Sequence, residues 1–166
     1  MERTIVRTIA SNSMIAALYV VVTLITYPIS FLSIQFRFAE ILVLLCFFRK
    51  DFAFGIVAGT AIVNLASPIG VVDVIFGTLA TLIAVLGIMF CKWLAIACLL
   101  PVVSNAFIVG FELWKFMGEP FWVSVGFVAL GEFVVMVVAY IVYTLLKKRK
   151  SFFELIRAKQ NVEFKW

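Results

Sequence analysis

Eight polar side chains stand where an apolar chain should not carry them: Gln35, Arg37, Glu40, Asn64, Asp73, Asn105, Glu112 and Glu132. The first three share the segment Ile34-Gln35-Phe36-Arg37-Phe38-Ala39-Glu40, which runs straight into the apolar stretch Ile41 to Phe48. An ionisable residue inside a membrane span is costly and by default marks a functional site. Ionised carboxylates only accept hydrogen bonds, and they bind amidine-like or guanidine-like edges through paired N–H donors. Four carboxylates (Glu40, Asp73, Glu112, Glu132) face Arg37 alone. Unless some are protonated, such a site is negative and suits a cation or a ligand rich in N–H groups. A phosphate or carboxylate substrate would want more Arg and Lys.

Each residue also has a plainer explanation. Arg37 and Glu40, three apart, fit a structural salt bridge on one helix face. Asp73 and Glu112, near span ends, could simply meet water. Glu132 resists this, because Leu130, Gly131, Phe133, Val134 and Val135 surround it in sequence. Tyr27, Phe31, Phe36, Trp114, Phe121 and Trp122 could stack on a flat heterocycle or form an interfacial belt, and the belt is favoured for Trp114 and Trp122.

Other chemistries are missing. Histidine is absent, which removes His catalysis and His metal sites. Cys46, Cys91 and Cys98 form no Cys-x-x-Cys pair and read as small packing residues. There is no Gly-x-x-x-x-Gly-Lys-Ser/Thr loop and no nucleophile with a base, so neither ATP hydrolysis nor another enzyme activity is expected, and no cofactor.

The elements that position these residues follow from hydropathy. The chain is 65% hydrophobic with mean hydropathy +1.18, against 45–50% for soluble domains, so an all-α integral membrane protein is expected. Six apolar segments can be drawn: Ile9 to Tyr27, Phe38 to Phe48, Phe52 to Ala66, Val72 to Phe90, Leu94 to Trp114 and Phe121 to Leu146. The second and third fall short of the roughly 20 residues that a full span needs. They must tilt little, sit deeper in the bundle or continue into a loop. With both termini cytoplasmic, Arg3, Arg7, Arg49, Lys50, Lys92, Lys147, Lys148, Arg149, Lys150, Arg157, Lys159 and Lys165 fall inside, twelve of the 14 basic residues, and only Arg37 and Lys115 fall outside. The positive-inside rule therefore favours an even number of spans. Residues 1–146 read as one six-helix domain, and 147–166 as a basic amphipathic tail resting on the anionic inner leaflet. The net charge of +5 belongs to this topology pattern and does not point to nucleic acid.

On that topology the polar residues gather in the outer half. Asn105 lies two turns below Glu112 on one face, and Glu132 sits some 14 residues, roughly 20 Å, above the inner end of its span. A channel or proton relay would want polar groups along the whole path. An outward pocket above a dry plug fits better, and a plugged pocket needs partners to release its ligand. Ser13 and Ala17, with Ala16 beside them, have the small-x-x-x-small spacing of a helix docking face, and Gly55 and Gly59 repeat it.

The chain resembles the QueT family, substrate-binding S components of energy-coupling factor (ECF) transporters for queuosine precursors. The residues that carry the resemblance are Ile34 to Glu40, Asp73-Val74-Ile75-Phe76-Gly77-Thr78-Leu79-Ala80-Thr81-Leu82, Asn105-Ala106-Phe107-Ile108-Val109-Gly110-Phe111-Glu112-Leu113, and Gly131-Glu132. Ala39 replaces a Ser that is frequent in the family. The resemblance implies a multi-pass protein of a bacterial cell membrane, with six helices and an outward pocket. Its implied partners are a transmembrane coupling subunit, which would dock on Ser13, Ala16 and Ala17, and two ATP-binding-cassette ATPases. Its implied ligand is a 7-deazaguanine such as 7-aminomethyl-7-deazaguanine, its nitrile or queuine. Glu112 and Glu132 would then share the guanine edge and the amine, Asn105 would read the carbonyl, Gln35 would contact the ring, and Asp73 with the Arg37–Glu40 pair would shape the outer lip. An S component for thiamine or riboflavin, or a stand-alone proton-coupled carrier, are the alternatives.

Overall fold

In lipid every backbone polar group must find its partner inside the protein, and each long apolar run here does so as a helix. The computed structural model describes residues 2–30 and 35–156. Phe31, Ile34, Arg157, Lys159 and Lys165, used above, lie outside the described residues. Helix α1 spans Glu2–Ile25 and is followed by the short α2, Tyr27–Ser30. A 3₁₀ segment, Phe38–Leu44, continues directly into α3, Leu45–Phe48. A 3₁₀ turn at Lys50–Phe52 leads into α4, Ala53–Asn64. Then come α5 (Val71–Phe90), α6 (Leu94–Glu112), α7 (Phe121–Leu146) and α8 (Lys150–Ile156).

Among the described residues four helices are long and apolar enough to cross a membrane: Ile5–Ile25, Val71–Phe90, Leu94–Met117 and Phe121–Leu146. The second and third segments are shorter, at Phe38–Phe48 and Ala53–Asn64. Of the three options open to the second segment, the structure takes depth. Its 3₁₀ part touches α1, α4, α5, α6 and α7 and forms the axis of the bundle. Ala39, Glu40, Val43 and Leu44 are buried in it. Runs of 3₁₀ longer than three or four residues are uncommon, because their hydrogen bonds are poorer, and long ones mark strained or functional segments. This one is held from outside: the Tyr143 hydroxyl of α7 donates to the Ile41 carbonyl at 3.0 Å.

Lipid tails are as apolar as leucine, so the helices associate through close packing and interhelical hydrogen bonds. Gly55 and Gly59 supply the close packing between α4 and α1. A Cβ on Gly55 would stand 2.5 Å from the Asn12 carbonyl, and one on Gly59 would stand 3.0 Å from that of Ala16. Asn12 also reaches across, its Oδ1 accepting the Gly55 N–H at 2.7 Å. The glycine pair of α4 therefore serves internal packing, and Ala16 sits half-buried in the same crossing, while Ser13 and Ala17 face outward. Away from the polar residues, Val85, Ile88, Leu94, Ala97, Val135 and Ala139 pack a dry core.

The described part of the tail packs on the bundle, and residues 157–166 lie outside the described residues. Phe153 and Ile156 of α8 are buried, and the Phe152 ring lies 5.6 Å from Phe48 and 6.1 Å from Tyr143. Arg49, paired with Asp51 at 2.6 Å, donates to the Ile156 carbonyl at 3.2 Å and so caps the last turn of α8. Phe48 of α3 and Tyr143 of α7 form an aromatic shelf under these residues, while Leu155 points outward.

Candidate ligand-binding site

Short connections make α4 through α7 run alternately up and down, which brings Asn64, Asp73 and Glu112 to one end of the bundle. Asn105 and Glu132 lie deeper from that same end. Gln35, Arg37 and Glu40 reach their depth by another route. The backbone of Gln35 lies directly against Gly131, where any Cβ would collide with it. The loop thus enters the bundle down to the middle of α7, and only glycine at 131 leaves it room.

All eight side chains are buried. Arg37 and Asp73 form an ion pair across 36 residues, with Nη2 3.3 Å from Oδ2 and 3.4 Å from Oδ1. Asp73 lies in the first turn of α5, where a helix N-terminus favours a negative charge. Asn64 donates to the Asp73 backbone carbonyl at 3.0 Å and so ties the end of α4 to the start of α5. Gly77 makes this fit: a Cβ there would stand 2.6 Å from Asn64 Nδ2 and 2.7 Å from Asp73 Oδ1. Glu40, wholly buried, is held by two residues to which the sequence reading assigned no role in the site. The Tyr19 hydroxyl donates to its Oε1 at 2.5 Å, and the Thr81 hydroxyl approaches the same oxygen at 3.4 Å.

Two expectations are corrected here. Arg37 takes its ion pair from Asp73 on another helix, not from a partner one turn away, because the 3₁₀ segment turns Glu40 toward Tyr19 on α1. Nor do Arg37, Glu40 and Asp73 make a lip: they are 3%, 0% and 3% exposed. The aromatic residues at this end pack in series, Phe111 on Trp114 and Trp114 on Phe121, while Trp114 and Trp122 are exposed at 46% and 74%. Those two belong to the outer surface of the bundle and not to the site.

Several polar atoms around the ion pair are buried and have no hydrogen-bond partner among the described residues: both oxygens of Glu112, both polar atoms of Asn105, Oε1 of Glu132, Oε2 of Glu40 and Oδ1 of Asn64. Asn105 lies beside Glu132 without completing a hydrogen bond to it. Glu132 and Glu40 are within electrostatic reach of Arg37, and Glu112 is within reach of Asp73 and Arg37. Native interiors leave few such atoms, and each asks for an explanation such as a bound ligand. The α6 backbone widens immediately after Glu112 into a π turn, Leu113–Met117, closed by Gly118 with φ 74°. Such turns recur at functional sites. Among the described residues no group of Cys, Asp and Glu is gathered closely enough to hold a metal ion.

Tyr19 is the site-forming residue that sequence reasoning missed altogether; Gly77, Thr81 and Gly131 were named only as family motif residues, without a role in the site. Tyr19 carried one usable signal: a buried tyrosine hydroxyl usually needs a partner.

Long apolar helices around a cluster of buried polar side chains define the class as a helical membrane protein with a polar interior. The chain belongs to the QueT transporter family, whose model matches residues 9–148. It is a transporter protein rather than an enzyme. No curated protein and no solved structure matches the chain.

Proposed function

We propose that the protein is the substrate-binding S component of an energy-coupling factor transporter, capturing a queuosine precursor at the outer face of a bacterial cell membrane. The ligand is a 7-deazaguanine such as 7-aminomethyl-7-deazaguanine or queuine. A transmembrane coupling subunit and two ATP-binding-cassette ATPases drive import, since this chain carries no P-loop. In this reading Phe38–Phe48 and Ala53–Asn64 are the short second and third of six spans, and both termini are cytoplasmic, in keeping with the basic residues at one side.

The observation that carries the reading is the set of unpartnered buried atoms on Asn105, Glu112 and Glu132. Two carboxylates and an amide match a guanine-like edge with its N–H, amino and carbonyl groups, plus a cationic substituent. Gln35, Asn64 and the Arg37–Asp73 pair complete the walls. Ser13 and Ala17, exposed on α1 beside a groove of about 710 Å³, are the docking face for the coupling subunit, with Ala16 at its inner edge.

The test is thermal unfolding of the purified protein with 7-deazaguanines, guanine, thiamine and riboflavin, repeated on Glu132→Gln. A ligand that binds only the folded state raises apparent stability by mass action, about 2.7 kcal/mol at a hundredfold excess over Kd. Stabilisation by deazaguanines, reduced by Glu132→Gln for 7-aminomethyl-7-deazaguanine, supports the reading. Stabilisation by thiamine or riboflavin instead overturns the substrate.

A further inference from the structure

Glu40 and Glu132 come from different elements, the 3₁₀ segment and α7, which pack against each other, with the Gln35 backbone seated on Gly131 next to Glu132, and the two carboxylates are within electrostatic reach. Glu40 is 0% exposed and Glu132 2%. Glu40 commits Oε1 to Tyr19 and Thr81 and keeps Oε2 without a partner, and Glu132 keeps Oε1 without one. Arg37 acts on both, but its ion pair is with Asp73. Among the described residues, two buried carboxylates are thus left with one unpartnered oxygen each, and the ion pair seen nearby goes to Asp73.

We infer that Glu40 and Glu132 together receive a cationic nitrogen of the ligand, and that Tyr19 is the residue that positions Glu40 for it. The assignment rests on the proposed deazaguanine ligand and leaves Glu112 and Asn105 for the ring edge. An ammonium offers three N–H donors and can satisfy both open oxygens at once. Like charges close together in a dry site are relieved by a cation between them, whereas a neutral group leaves both unrelieved. Tyr19 makes no contact with the ligand in this arrangement. Its short hydrogen bond fixes the carboxylate plane, so that Oε2 is the oxygen presented. Without it Glu40 is free to turn toward whichever donor is nearest.

The experiment compares two ligands that differ at one group, 7-aminomethyl-7-deazaguanine and its neutral nitrile, by titration calorimetry on the full chain in nanodiscs. Hydrogen bonds to charged groups predict that the wild type prefers the amine by roughly tenfold or more. Glu40→Gln, Glu132→Gln and Tyr19→Phe should each bring the ratio toward one, while the nitrile Kd changes little. Thr81→Val, which removes the weaker donor to the same oxygen and keeps the side-chain volume, should do so by a smaller factor. It also stands in if Tyr19→Phe does not fold. An amine-to-nitrile ratio near one in the wild type overturns the inference and leaves the proposed function intact. So does a wild-type ratio that survives Glu40→Gln and either Tyr19→Phe or Thr81→Val. Failure of the wild type to bind either ligand overturns the proposed function and the inference with it.

Discussion

The backbone of Gln35 occupies the space in which residue 131 would carry a Cβ, so a loop and the middle of a 26-residue helix touch only because residue 131 is glycine. That contact sets how deep the polar loop reaches, and with it where Arg37 and Glu40 stand.

Gly131→Ala forces this contact apart. The neighbour is backbone rather than a flexible side-chain tip, so the strain has no cheap outlet, and overpacking of this kind costs about 1–3 kcal/mol. Thermal unfolding should show the loss, and ligand affinity should fall further than stability because the loop carries three site residues. Unchanged unfolding and unchanged binding would remove the loop from the account of the site.

The Arg37–Asp73 pair is buried, with side chains 4% and 5% exposed. Removing one partner leaves an uncompensated charge, at a cost of about 3–5 kcal/mol, whereas apolar residues in place of both are often tolerated. Asp73→Asn and Arg37→Met should each lower the unfolding temperature sharply, and Arg37→Met with Asp73→Leu should recover much of the loss. The double substitution should still fail to bind ligand. Additive losses in the double-mutant cycle would mean that the two charges are not coupled.

Glu112 gives the opposite pattern. Both of its oxygens are buried without a partner, so in the empty protein it destabilises. Glu112→Gln should leave the unliganded protein as stable as the wild type or more so, and should weaken deazaguanine binding by about tenfold or more. A fall in unliganded stability with unchanged affinity would show a structural role instead.

Helix α1 separates packing from docking. Gly59→Val puts side-chain atoms into the Ala16 backbone and should destabilise the isolated protein. Ala17→Leu lies on the exposed face and should leave isolated stability and ligand binding unchanged, while co-purification with the coupling subunit is lost. Intact assembly of Ala17→Leu would move the docking face elsewhere.

How much of this was legible beforehand differs by element. The Val72 to Phe90, Leu94 to Trp114 and Phe121 to Leu146 runs became helices within a few residues of their hydropathy limits, since lipid leaves a long apolar run no other way to satisfy its backbone. The polar residues were visible for the same reason: charge in such runs is rare. The 3₁₀ geometry of Phe38–Leu44 was not visible, because a short apolar segment has no periodicity that separates one helix type from another. The packing of Phe153 and Ile156 on the bundle was equally hidden, as an apolar face does not say which apolar surface covers it.

Sequence by itself determined that this is a helical membrane protein and which carboxylates, amides and arginine stand inside it, because hydropathy and the cost of buried charge are properties of each residue alone. Tertiary structure decided who partners whom: Arg37 with Asp73, Glu40 with Tyr19, Gln35 over Gly131. Those pairings join residues 36, 21 and 96 positions apart, and distances in space between such residues arise only when the helices have packed.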